Sequence, residues 1–204
     1  MRRLRPAPDD PLFSKLHLPS TQFSGFYRDA LSTIGTFLYS LGPKGETNME
    51  RTLIILKPDT VQRGLCGEIL SRFEKKGLQI VGMKFMQIPK ATSEKHYEQH
   101  QARPFYAGLV AFMTSSPVIV LALEGKDAIT IARNLMGATF GSKAAPGTIR
   151  GDFGVSNAFN LVHGSDSPES AEKELALFFK PGEVVDWKPA ILPWVYDFAK
   201  GSAE

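Results

Sequence analysis

From Met49 onward, short apolar runs alternate with amphipathic stretches, and a glycine or proline closes nearly every one. That punctuation leaves few folds open. Thr52 to Leu56 reads as a strand stopped at Lys57-Pro58. Leu65, Ile69 and Phe73 recur every four residues ahead of Gly77, which predicts a helix over 67–76. Leu78 to Ile88 alternates as a strand does. Residues 92–100 are polar with helical propensity, and Pro104 then opens a second helix with Phe105, Leu109, Phe112 and Met113 on one face. Val118 to Leu123 is a buried strand, 127–136 a helix closed by Gly137, and 139–154 a long connection. Phe159 to His163 is a strand. Ser167-Pro168 caps a helix that turns Ala171, Leu175, Phe178 and Phe179 inward, and Trp194-Val195-Tyr196 anchors the tail. The order is that of a βαββαβ plan with four strands and helices against one face.

Residues 1–48 lack any such period. Arg2, Arg3 and Arg5 precede a scatter of prolines and glycines, and only 28–41 carries a helical spacing, in Leu31, Ile34, Leu38 and Leu41. Organelle-targeting segments are rich in arginine and poor in acids. Asp9, Asp10 and Asp29 count against that role, so 1–48 reads as a flexible extension ahead of a domain over 49–204, and a cytoplasmic location is expected. The longest apolar run is six residues, far short of the roughly 20 of a spanning helix, so no membrane association is expected. With one cysteine, Cys66, neither an internal disulfide nor a cage of several cysteines can form. The net charge of +3 lies mostly in the extension, with six basic and four acidic residues, so the near-neutral domain does not call for a nucleic-acid partner.

No P-loop, dinucleotide fingerprint, H-E-x-x-H or C-x-x-C occurs in the chain. The informative stretch is Asn160-Leu-Val-His163-Gly-Ser165-Asp166-Ser167-Pro168. His163 ends a strand, and Gly164 lets a ligand approach closely. Glu174 follows eleven residues later on the next helix, about 60° from Ala171, at the border of the buried stripe. A half-buried carboxylate beside an imidazole holds one tautomer and frees the other ring nitrogen as a nucleophile; Ser165 can join that relay. A histidine nucleophile suggests phosphoryl transfer, which needs positive charge around the phosphates. Lys57, Arg133 and Arg150 are candidates, with Thr139 and Asn160 as neutral donors and Phe105 or Tyr106 as a flat face for a base. Strict alternation, however, puts Asn160 and His163 on opposite faces of a strand, so the strand must bend or end between them.

Together, TLIILKPD, VQRGLCGEIL, HYEQHQARPFY, RNLMGAT, PGTIRGDF and NLVHGSDSPESAEKE resemble the nucleoside diphosphate kinase family over about 49–196. The resemblance implies an α+β, ferredoxin-like βαββαβ sandwich, a four-stranded antiparallel sheet with helices on one face. It implies a homohexamer or homotetramer and a ping-pong reaction in which a nucleoside triphosphate, mainly ATP, phosphorylates His163. The group then passes to a nucleoside diphosphate. Mg²⁺ would ride on the nucleotide phosphates, with Asp166 orienting its waters. Lys57, Arg133, Thr139, Arg150 and Asn160 resemble the phosphate and ribose contacts, Tyr97 the tyrosine near the nucleophile and Phe105 the base-stacking residue. Ser165 and Glu174 resemble the pair that supports the imidazole. Stacking alone would accept every base. Phe159 stands where many members carry arginine, and Phe140-Gly141 where many carry Asn-Pro, which bears on subunit contacts. An RNA-binding sheet, a silent scaffold of the same family and a phosphocarrier are the competing readings.

Overall fold

The computed structural model describes residues 49–199 and 202–204; the extension expected over 1–48, with its helix over 28–41, lies outside the described residues. In chain order the elements are β1 Met49–Leu56, α1 Pro58–Gln62, α2 Cys66–Lys75, β2 Gln79–Met86, α3 Lys90–His96, α4 Tyr106–Met113, β3 Val118–Lys126, α5 Ala128–Met136, α6 Ile149–Phe153, β4 Val162–Gly164, α7 Pro168–Phe178 and α8 Leu192–Val195. The strands form one antiparallel sheet in the order β2-β3-β1-β4. The two central strands are those with the unbroken apolar runs, as burial on both faces requires. This is the ferredoxin-like arrangement. No helix among the described residues is long and apolar enough to cross a membrane.

Alternation divides the core in two. Ile54, Leu56, Leu121 and Leu123 point to one face, where α2 (Ile69, Phe73) and α5 (Ala128, Ala132, Met136) cover them. Leu53, Ile55, Val120 and Ala122 point to the other. The two crossover helices thus share one face, as the plan expects. The opposite face is covered too, by Met113 of α4, Tyr97 after α3, and Phe178 and Phe179 at the end of α7.

Several elements depart from the sequence reading. Pro58 does more than stop β1: it sits at the first position of α1, where a missing N–H is harmless. The connection over 139–154 holds a 3₁₀ turn, Gly141–Lys143, and α6, capped by Thr148 Oγ1 accepting from Gly151 N at 3.1 Å. In α4, Val110 and Met113 are buried while Phe105 is 55% exposed, so Phe105 is not on the core face. Val195 and Tyr196 do anchor the tail at Gly77, but Trp194 is 90% exposed.

The strand expected over 159–163 is only Val162–Gly164, because Leu161 takes a left-handed conformation at φ 69°. That residue resets the alternation and removes the conflict between Asn160 and His163. His163 pairs with Ile55 of β1, and Lys57, two residues past Ile55, follows it on the same side. Asn160 reaches that side as well: its Oδ1 accepts from Lys57 Nζ at 2.7 Å.

Packing of α6 gives a direct check. A Cβ at Gly151 would stand 2.0 Å from the Ala145 carbonyl oxygen, whereas one at Gly67 in α2 meets nothing within 4 Å. Urea unfolding should show Gly151→Ala losing about 1–3 kcal/mol. Gly67→Ala should gain up to about 1 kcal/mol. Equal effects would contradict this packing.

Candidate active site around His163

Three elements converge on one carboxylate. The cap of α7 is a reciprocal pair, Ser170 N to Ser167 Oγ at 3.1 Å and Ser167 N to Ser170 Oγ at 3.0 Å. The helix so started packs Ala171 and Phe178 into the core and leaves Glu174 at its border, 14% exposed. Glu174 Oε1 lies 2.9 Å from His163 Nε2, and Glu174 Oε2 accepts from Ser165 Oγ at 2.6 Å. Ser165 Oγ in turn accepts from Leu53 N at 3.2 Å. Burial pushes the Glu174 carboxyl up, but hydrogen bonds from His163 and Ser165 outweigh it and hold it below the ordinary range. An ionised carboxylate only accepts, so Nε2 carries the ring proton and Nδ1 keeps its lone pair. No described residue hydrogen-bonds to Nδ1, and the side chain is 20% exposed. The arrangement leaves an oriented, reachable ring nitrogen, Nδ1, as the candidate nucleophile.

Beside it stands a buried cationic wall. Lys57 Nζ donates to Asn160 Oδ1, and Asn160 Nδ2 donates to the Thr139 carbonyl at 3.0 Å. Burial and the neighbouring Arg150 pull the Lys57 ammonium down to about 8, against the pull of Asp59. Arg150 donates from Nε to Asn160 O at 3.2 Å, from Nη1 to Gly137 O at 2.8 Å and from Nη2 to Val162 O at 2.7 Å. One N–H on each terminal nitrogen remains uncommitted. Burial, with Arg133 nearby, lowers Arg150 to about 10, so it stays charged at neutral pH. Exposed Arg133 reaches the Gly164 carbonyl at 3.5 Å.

Other expected residues stand farther out. The Tyr97 ring lies 6.1 Å from the His163 ring, edge-on; its hydroxyl is buried without a partner, and burial pushes its pKa up. The Phe105 ring stands 5.6 Å from that of His100, which stacks at 6.4 Å on Tyr97. Asp166 Oδ1 accepts from Ser170 Oγ at 2.8 Å at the start of α7.

Two residues went unrecognised in the sequence. His96, on α3, has a side chain 1% exposed, packed edge-on at 4.5 Å against the His163 ring, with Nδ1 3.8 Å from Glu174 Oε1. Neither ring nitrogen has a hydrogen bond. Burial, with His163 close by, drives its pKa down to about 3. The other is Asp59, whose Oδ2 accepts from Leu161 N at 3.0 Å. The motifs HYEQH and LKPD contain both, but a histidine in a polar helical stretch and an acid after a proline carry no signal of burial.

The one group of metal-capable side chains among the described residues is His96, His163 and Glu174. Two imidazoles and a carboxylate already bonded to His163 and Ser165 do not suit Mg²⁺, which takes oxygen ligands in an octahedron. The side chains beside His163 are instead cationic, which suits an anionic ligand.

A family model described as "Nucleoside diphosphate kinase" matches residues 50–184. A relative of that name from Desulforamulus reducens is 54% identical over 149 residues, 73% of this chain and 100% of the relative. One from Archaeoglobus fulgidus is 52% identical over 149 residues, 73% of this chain and 99% of the relative. Among solved structures, a halophilic nucleoside diphosphate kinase from Halobacterium salinarum in complex with CDP superposes with a TM-score of 0.71 and 51% identity, covering 72% of this chain and 99% of that one. A family protein from Babesia bovis gives 0.70 and 48%, with the same coverage.

The buried neutral His96 makes acid stability diagnostic. Its folded pKa of about 3 lies below the unfolded 6.5, so between these values the unfolded chain binds the extra proton. Stability should fall as pH drops from 6.5 toward 3, by up to about 1.4 kcal/mol per unit. Glu174, shifted down from 4.5, adds to the loss only below that value. Urea unfolding of His96→Gln, which cannot titrate, should be nearly flat between pH 6.5 and 5; an unchanged slope would place the proton uptake elsewhere.

Proposed function

This chain belongs to the nucleoside diphosphate kinase family and is a phosphotransferase; from that premise we propose that His163 carries the phosphoryl group between two nucleotides. The supporting observation is the Glu174–His163 pair, which fixes the Nε2–H tautomer and leaves Nδ1 unoccupied. In the first half-reaction Nδ1 attacks the γ-phosphorus of a triphosphate, mainly ATP. The Nδ1–P bond forms as the bond to the bridging oxygen breaks, and the diphosphate leaves. Glu174 balances the positive charge that the ring acquires. In the second half, a terminal oxygen of another nucleoside diphosphate attacks the same phosphorus, and Nδ1 departs with its electron pair.

Catalysis in this scheme is positioning and charge neutralisation. Lys57, Arg150 and Arg133 meet the phosphate oxygens, and Asn160 and Thr139 supply ribose and phosphate contacts. Tyr97, edge-on to the imidazole, packs beside the nucleophile and supports its orientation. Phe105, exposed at the start of α4, gives the base a flat surface and explains tolerance of base identity. Mg²⁺ brought by the nucleotide would offset phosphate charge, and Asp166 would help to hold it through water. We read the working form as a homohexamer or homotetramer in the cytoplasm. Exposed Phe85, Val155 and Trp194 supply apolar surface for an assembly to cover.

Incubation with γ-labelled ATP should give acid-labile, base-stable label on wild type and none on His163→Ala, with circular dichroism unchanged. Label surviving in that variant would end this reading. Lys57→Ala should lose roughly 10²–10³ in kcat, the effect of one lost oxyanion donor; wild-type kinetics would remove Lys57 from the site.

A further inference from the structure

Leu161 is held from both sides by the junction of β1 and α1. Its carbonyl accepts from Lys57 N at 2.8 Å and from Thr60 Oγ1 at 2.6 Å, and its N–H donates to Asp59 Oδ2 at 3.0 Å. A branched residue resists the left-handed conformation, so these bonds hold a turn that Leu161 would otherwise leave. That turn delivers Asn160 to Lys57. The bond from the Leu161 N–H does not by itself require an acid, because an asparagine carbonyl would accept it equally. Yet Asp59 Oδ1 is buried with no partner, which is costly for a group whose only task is to accept one amide. The surplus is its charge, and the nearest lysine in the chain is Lys57, two residues away, whose own N–H bonds the carbonyl of the same Leu161 that Asp59 clamps.

We propose that Asp59 is a positioning residue with two tasks: it clamps the Leu161 turn that brings Asn160 to the phosphate wall, and its charge keeps the Lys57 ammonium protonated there. The inference rests on the reading that Lys57 meets the transferred phosphoryl group. Three groups from separate elements face Lys57. Arg150 of α6 repels its proton, Asp59 of α1 retains it, and His96 of α3 is kept neutral by burial. Removing the acid leaves nothing among them to oppose Arg150.

The test uses the full chain without nucleotide, with lysine ammonium groups labelled for NMR and the Lys57 signal assigned from Lys57→Arg. In wild type the signal should titrate at about 8. In Asp59→Asn, which keeps the acceptor and loses the charge, the midpoint should fall by roughly one pH unit. The alkaline limb of kcat/KM should move down with it, while the thermal melt stays near wild type. Asp59→Glu keeps the charge and displaces the clamp, so it should retain the Lys57 midpoint and lose kcat. An unmoved Lys57 midpoint in Asp59→Asn overturns the proposal; if that variant does not fold, a lowered midpoint in Asp59→Glu overturns it instead. The titration is read on nucleotide-free protein, so it stands or falls separately from the labelling of His163.

Discussion

The site depends on a carboxylate that the fold can bury without protonating it. Taking an anion such as Glu174 out of water is unfavourable, and two donors aimed at its two oxygens offset that cost. Both donors come from the same short edge. β4 pairs with β1 only as far as Gly164, and Ser165 then turns away from the ladder. Its N–H still meets the Leu53 carbonyl, but the Leu53 N–H now bonds the Ser165 hydroxyl. The early end of the strand therefore presents a side-chain hydroxyl where a ladder carbonyl would stand, and that hydroxyl donates onward to Glu174. The sheet, α7 and the imidazole are coupled through a single acid.

On the other side of His163 the balance of charge is reversed. Lys57 and Arg150 are buried cations, each drawn below its ordinary pKa by lost solvation. Such a pocket is least comfortable when empty and is relieved by an anion. Arg150 spends three of its donors on carbonyls of two segments, which ties the α5 terminus to the stretch leading into β4. Its two spare N–H groups then have a fixed direction. One residue thus builds the wall and also belongs to it.

The sequence carried the sheet clearly, because the apolar runs of β1 and β3, the alternation of β2, and the glycines and prolines between elements all point one way. The placement of Glu174 also followed from helical arithmetic, since Ala171 and Phe178 define the buried stripe. What escaped was local. Helices α1 and α6 have five residues each, too few to show a period. Helix α4 begins at Tyr106, which rotates Phe105 off the apolar face and brings Val110 onto it. A left-handed leucine has no signature in composition; only the clash between Asn160 and His163 hinted that the chain must turn. His96 looked like part of a polar surface helix, and its burial depends on packing from Phe178, distant in sequence, as well as from the adjacent Tyr97. The arrangement of the cationic side chains is tertiary information in the same way.

The three-residue strand behind the Leu161 turn has a further consequence, for evolution. Nearly every residue from Asn160 to Ser165 is engaged: the Asn160 side chain with Lys57, the Leu161 backbone with the α1 clamp, Val162 in the core, His163 with Glu174, and the Ser165 hydroxyl with the amide of Leu53. Gly164 is hemmed in by Met136 and Ile54, so the strand has no slack in which to slide. An inserted or deleted residue here would exchange inward for outward at every later position. This stretch should therefore keep its length from one relative to the next.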